Sequence, residues 1–110
     1  MADHQIVGYV LDEEAERFGQ YASALSLDVS AVATLLIVRE ISAGRLRGIV
    51  ERYPSVGGGR KIVAHQRNGD LKQVFADHVA KFDVRSTPAA GSLFRAELHE
   101  RWLEKTVHNR

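Results

Sequence analysis

The chain has 110 residues, 45% of them hydrophobic and 26% charged, which fits one compact domain and is too short for two independent cores. Cysteine is absent, so disulfide bonds are excluded and a reducing cytoplasm is the expected location. No apolar run approaches the roughly 18 residues of a membrane span, and the N-terminal residues MADHQ lack the regions typical of a signal peptide, so no membrane association is expected.

The net charge of +1 is unevenly distributed along the chain. Residues 1–43 carry two basic and seven acidic side chains, a net charge of −5, whereas residues 44–61 carry +4 and residues 62–110 carry +2. This asymmetry suggests a polyanionic partner that binds the second half of the chain and the segment before it.

The first half of the chain is predicted to form a strand and two helices. The run IVGYVL at residues 6–11 is expected to be extended. Apolar residues then recur every three or four positions, as in a helix with one buried face, at Ala15, Phe18, Ala22 and Leu25. Asp12 is the expected N-cap of this helix, and Ser30 is the expected N-cap of the second.

Residues 44–60 are predicted to be a linker. Its first part extends the second helix, and its last part is a flexible return that contains Pro54 and three consecutive glycines. The segment is long enough to carry the chain back to the start of a second strand.

The layout of the first half repeats 57 residues further on, where Phe18 corresponds to Phe75 and Glu40 to Glu97. Thr87 followed by proline is a strong signal for a helix start. We therefore predict one domain, residues 1–110, with two strand-helix-helix units at residues 5–43 and 61–107. A strand on two helices cannot bury its own edges, so the units are expected to pair strand to strand and to pack as an intramolecular pseudo-dimer.

The first half, YVLDEEAERFGQYASALSLDVSAVATLLIVREI, resembles the ribbon-helix-helix family of DNA-binding proteins, which includes the Arc and methionine repressors. The whole chain is similar to tandem single-chain members, some of which are accessory proteins of plasmid relaxosomes. The resemblance implies a mainly α fold with a two-stranded antiparallel β-ribbon that enters the major groove of double-stranded DNA. It implies a role in transcription regulation or in plasmid transfer by conjugation, the latter with a relaxase or another protein as a further partner.

The resemblance also implies two sets of DNA-binding residues. The ribbon would pair residues 5–11 with residues 61–67, and its base-facing side chains would be Gln5, Val7, Tyr9, Lys61, Val63, His65 and Arg67. Phosphates would be bound at the N-termini of the second helix of each unit and by basic side chains of the linker. These residues are Val29, Ser30 and Ala31, then Ser86, Thr87 and the segment around Pro88, and finally Arg45, Arg47 and Arg60.

The first strand departs from the family because its outward face, Gln5, Val7 and Tyr9, is not basic. This face suits thymine methyl groups, whereas Lys61 and Arg67 suit guanine or phosphate. We therefore expect the second strand to make most of the base contacts, or the first strand to contact something other than DNA.

Two alternatives remain open at this point. In one, the fold has lost DNA binding and is a protein-interaction adaptor that docks a partner through the apolar first strand. In the other, two chains pair through their first strands, and the C-terminal half is a helical appendage.

No enzymatic function and no cofactor are predicted. The segment Gly57-Gly58-Gly59-Arg60-Lys61 lacks the G-x-x-x-x-G-K-[ST] order of a phosphate loop and is more simply a hinge. The five histidines have no short metal-binding spacing, and no nucleophile elbow is present.

Overall fold

The computed structural model describes residues 5–66 and 69–108, with side chains described as far as residue 106. Within this part, each of two strands is followed by three helices. The elements are β1 (Gln5–Val10), α1 (Asp12–Ala24), α2 (Val29–Ala43), α3 (Leu46–Arg52), β2 (Arg60–His65), α4 (Asp70–Ala80), α5 (Ser86–Glu100) and α6 (Trp102–His108).

Strands β1 and β2 form a two-stranded antiparallel sheet. In its register the cross-strand neighbours are Gln5 and His65, Val7 and Val63, and Tyr9 and Lys61. Side chains alternate along a strand, so these six share the outer face of the sheet. The inner face is buried against the helices and carries Ile6, Val10, Ile62 and Ala64. The two faces are those that the sequence predicted, although β1 ends at residue 10 and β2 spans 60–65.

The core lies between the inner face of the sheet and the helices. Its largest fully buried side chains include three phenylalanines, Phe18, Phe75 and Phe94. The rings of Phe18 and Phe94 have centroids 5.6 Å apart and are tilted by 59°, a favourable geometry for an aromatic pair. Helices from both halves of the chain therefore share one core.

Helix α5 packs on β1 with direct backbone contact at Gly8 and Gly91. A Cβ atom at Gly8 would lie 2.5 Å from the backbone nitrogen of Gly91, and a Cβ atom at Gly91 would lie 2.7 Å from the carbonyl oxygen of Tyr9. No side chain fits at either distance, so the two glycines are what permits the helix to reach the strand.

The prediction of two strand-helix-helix units packed as an intramolecular pseudo-dimer is wrong. The chain is mainly helical with a two-stranded antiparallel sheet, but six helices follow the strands in the described part, and α3 and α6 are separate elements. There is a single sheet, in which α5 packs mainly on β1 and α2 mainly on β2. Neither half therefore encloses its own strand as a unit. Strand β1 pairs with β2 of the same chain.

The additional helices arise where left-handed residues end α2 and α5. Gly44 has φ 65° after α2, and Arg101 has φ 51° after α5. The backbone N–H groups of Arg45 and Leu46 then donate to the carboxylate of Glu40 at 3.0 Å each. The buried Glu40 carboxylate thus accepts from backbone N–H groups at the start of α3 that have no partner within the helix.

The N-cap residues of α1 and α2 differ from the predicted ones. Leu11, not Asp12, is the N-cap residue of α1, and its N–H donates to the Glu14 carboxylate at 2.9 Å. Asp28, not Ser30, caps α2, because its Oδ1 accepts from the Ala31 N–H at 2.7 Å. A carboxylate is the stronger acceptor at this position, and the Ser30 hydroxyl is engaged elsewhere.

No single helix in residues 5–66 and 69–108 is long and apolar enough to cross a membrane. Helices α1 and α2 taken together pass a test of length and composition, but they are bent by 92° at their junction.

Candidate nucleic-acid interface

The outer face of the sheet has an apolar centre and polar ends. Val7 and Val63 form the central cross-strand pair and are half-buried. His65 and Lys61 are exposed at opposite ends, and Tyr9 beside Lys61 is 37% exposed. The face therefore presents hydrogen-bonding groups on both sides of a methyl-bearing centre.

One end of this face is fixed by a small hydrogen-bond network. The amide Nε2 of Gln5 lies 3.3 Å from Nδ1 of His65 across the two strands. The backbone N–H of His65 donates to the hydroxyl of Ser30 at 2.8 Å. The amide of Gln66, directly after β2, donates to the Thr34 hydroxyl at 3.2 Å. The start of α2 is therefore joined to the end of β2.

The other end of the sheet carries the cationic side chains Lys61 and Arg60 on opposite faces. Lys61 lies on the outer face. Arg60 lies 4.0 Å from the carboxylate of Asp12, an exposed pair at the start of α1. An exposed pair of this kind contributes at most about 1 kcal/mol, so Arg60 can exchange its partner at little cost.

The two helix N-termini predicted to bind phosphate differ in charge. At α2, the predicted residues Val29, Ser30 and Ala31 follow Asp28, whose exposed carboxylate accepts from the Ala31 N–H. A negative charge thus stands where an anion would approach. The Ser30 hydroxyl accepts from His65 and retains one proton to donate.

At α5, Ser86 and Thr87 form the first turn, and Arg85 is the N-cap residue. The Arg85 side chain makes no capping hydrogen bond. Backbone N–H groups, the helix dipole and an exposed guanidinium thus favour an anion at the same point. Sequence reasoning missed Arg85, and its signal is that Asp28 stands 57 residues earlier, at the N-cap of α2.

The linker arginines are not brought to the ribbon together. Arg45 follows the C-terminal end of α2, about 22 Å along the helix from Ser30, and its guanidinium lies 3.5 Å from the Glu100 carboxylate. Arg47 lies over the ring of Phe82 at 5.9 Å from the centroid, at the turn that leads into α5. Arg67 lies outside the described residues.

Two buried carboxylates elsewhere in the molecule are structural. Glu97 accepts from the hydroxyl of Tyr21 and from the Leu103 N–H at 2.8 Å, and Glu40 lies 2.8 Å from Nε2 of His78. Burial, followed by the hydrogen bond to Glu97, raises the pKa of the Tyr21 hydroxyl well above its usual range. In residues 5–66 and 69–108, no group of three or more histidine or acidic side chains is arranged to hold a metal ion.

The outer face of the sheet and the N-terminus of α5 are thus two described surfaces that carry hydrogen-bond donors and positive charge. No protein-family model, curated protein or solved structure matches the chain.

Proposed function

We propose that the chain is a double-stranded DNA-binding protein that inserts its β1–β2 ribbon into the major groove, in the manner of the ribbon-helix-helix family. The observation that carries the proposal is the outer face of the sheet, where Lys61, His65 and Gln5 surround Val7 and Val63. The major groove is about 12 Å wide and admits a two-stranded ribbon. The two valines match thymine methyl groups, and the polar side chains match base edges and phosphates.

Positive charge beside α5 supports the same proposal. Arg85 at the N-cap of α5 and Arg47 of α3, whose guanidinium lies over Phe82 in the turn before α5, favour a phosphate at this helix N-terminus. The Asp28 carboxylate disfavours one at α2. We therefore expect the DNA backbone to be held mainly from the second half of the chain.

This function requires no catalytic group, and its biological role is transcription regulation or assistance at a plasmid transfer origin. In the latter role a relaxase is the expected protein partner. The lack of cysteine suits a reducing cytoplasm, where both roles are performed.

The test is the salt dependence of binding to duplex DNA, measured by fluorescence anisotropy. With about five phosphates neutralised, the logarithm of the association constant should fall against the logarithm of salt concentration with a slope of about −4 to −5. The double variant Lys61→Ala, Arg85→Ala should bind more weakly, and its slope should be shallower by about 2. The control is Arg17→Ala, Arg52→Ala, which removes two exposed charges from α1 and α3 and should leave the slope unchanged. A wild-type chain that does not bind duplex DNA at low salt contradicts the proposal.

A second candidate function is that of a protein-interaction adaptor, which the half-buried Val7–Val63 pair and the exposed ring of Tyr9 favour. In that case Tyr9→Ser should abolish capture of the protein partner and leave helicity by circular dichroism unchanged. Duplex DNA at low salt should then neither bind nor compete with the partner.

A further inference from the structure

A side-chain contact between Gln5 and His65 crosses the two strands on the outer face of the ribbon. In this arrangement the Gln5 amide nitrogen is 3.3 Å from Nδ1 of His65, and because an amide nitrogen can only donate, the contact assigns Nδ1 as the acceptor. In a neutral imidazole the proton is then on the other nitrogen, Nε2. The cross-strand contact thus selects one of the two tautomers.

The backbone of His65 is fixed from a different direction. Its N–H donates to the Ser30 hydroxyl at 2.8 Å, which ties the end of β2 to the first turn of α2. The His65 backbone is therefore held by Ser30 and the ring nitrogen Nδ1 contacts Gln5, while the side chain as a whole is exposed. A donor with this degree of restraint is suited to read a hydrogen-bond acceptor in a groove.

We propose that Gln5 is a positioning residue that holds His65 as its Nε2–H tautomer, and that this N–H group reads guanine in the major groove. The inference rests on the proposed DNA binding. Guanine presents two adjacent acceptors, N7 and O6, to a single donor. Adenine has its N6 amino donor beside N7, cytosine presents an amino donor, and thymine presents the single acceptor O4 beside its methyl group, so guanine offers a lone donor the most acceptors.

The first experiment measures the tautomer in the full chain without DNA. Long-range ¹H–¹⁵N correlation spectra, recorded at about pH 9, should show protonated Nε2 and unprotonated Nδ1. Gln5→Leu should give a mixture of tautomers, and Gln5→Glu should place a proton on Nδ1, because a carboxylate can only accept. A wild-type spectrum with protonated Nδ1, or an unchanged spectrum in both variants, overturns the role of Gln5.

The second experiment selects duplexes from a randomised pool with the wild-type chain and then measures affinity for each base at every preferred position. We expect one guanine whose replacement weakens wild-type binding by about two- to tenfold, the range for one hydrogen bond. The preference should vanish in His65→Ala, decrease in Gln5→Leu and persist in the control Arg17→Ala. Circular dichroism and thermal unfolding verify that each variant is folded.

The outcomes separate the two proposals. A guanine preference that survives His65→Ala, or the absence of any guanine preference, overturns reading by His65 and leaves DNA binding in place. A wild-type chain that binds no duplex at low salt overturns both the base reading and the proposed function.

Discussion

Two of the three buried glutamates in the described part of the chain, Glu40 and Glu97, show how single residues organise the helix ends. Glu40 accepts from the backbone at the start of α3 and contacts His78, while Glu97 accepts from the Leu103 N–H in α6 and from Tyr21. Each of these carboxylates therefore joins the start of a helix to an aromatic side chain of another helix. A buried carboxylate that lost these donors would be strongly destabilising.

Tyr21→Phe tests this arrangement and its pH dependence. The variant leaves Glu97 short of one donor, so at pH 7 we expect it to be less stable than the wild type by about 1–3 kcal/mol. Burial raises the pKa of Tyr21 in the folded state, and in the unfolded state it is about 10. The hydroxyl therefore stabilises fully below pH 10, and this contribution is lost as the pH rises further, because only the unfolded state then releases the proton.

Urea unfolding at pH 7 and near pH 11 measures the effect. The difference in unfolding free energy between wild type and Tyr21→Phe should narrow at the higher pH. Tyr9→Phe, in an exposed ring, is the control and should change stability little at either pH. A difference that widens above pH 10 contradicts the assignment.

Asp28→Asn tests the charge at the start of α2. Asparagine caps a helix about as well as aspartate, so thermal stability should change by less than about 0.5 kcal/mol. Removing the carboxylate should strengthen duplex binding by about two- to fivefold at low salt, because the N-terminus of α2 then favours an anion. Anisotropy titrations measure this, with Glu51→Gln on the exposed side of α3 as the matched charge control. Equal gains from the two variants would show a general charge effect and no contact at α2.

At the scale of elements, apolar periodicity and turn signals were enough to predict both strands and the approximate positions of α1, α2, α4 and α5. The helix ends were not predictable in the same way, because tertiary contacts choose between nearby caps. Ser30 has a capping side chain, yet its hydroxyl accepts from β2 and Asp28 caps the helix. Arg101 ends α5 in a left-handed conformation without a glycine to signal it.

Gly8→Ala tests the contact between β1 and α5. The added Cβ atom would meet backbone atoms of Ala90 and Gly91, which belong to a buried helix and cannot easily move. We expect a loss of about 1–3 kcal/mol or more, as for overpacking in a core. Gly19→Ala is the matched control, because no atom lies within 4 Å of the added Cβ in α1 and alanine favours a helix. Thermal unfolding should show Gly19→Ala stabilised by about 0.5–1 kcal/mol, and similar stabilities for the two variants would contradict the close approach.

At the scale of the whole molecule, the sequence repeat was real as a pattern but misleading as a description of packing. It indicated the approximate positions of α1, α2, α4 and α5, but not that α3 and α6 are separate helices. The repeat could not show that a helix of each half covers the strand of the other half, because periodicity carries no information on which helix packs on which strand. The candidate site was likewise predictable only in part. The outward side chains of the strands were predictable from alternation, whereas the position of Arg85 and the hydrogen bonds of His65 depend on tertiary structure.

The contacts that join the two halves predict that neither half folds alone. Helix α5 packs mainly on β1 and α2 mainly on β2, so each half lacks the helix that covers its strand. The side-chain pairs that join the halves include Glu14 with Arg95, Phe18 with Phe94, Tyr21 with Glu97 and Glu40 with His78. Residues 1–56 and residues 57–110, produced separately, should each show little helicity by circular dichroism and no cooperative thermal transition. An equimolar mixture should recover helicity and a cooperative transition, because the full set of buried pairs is restored.

The control is a full chain with a protease site inserted between Gly57 and Gly58, where an added Cβ meets no atom within 4 Å, and cutting it after folding should leave the halves associated. A separate half that unfolds cooperatively would show that the core is divisible, and would contradict the single core formed by these contacts.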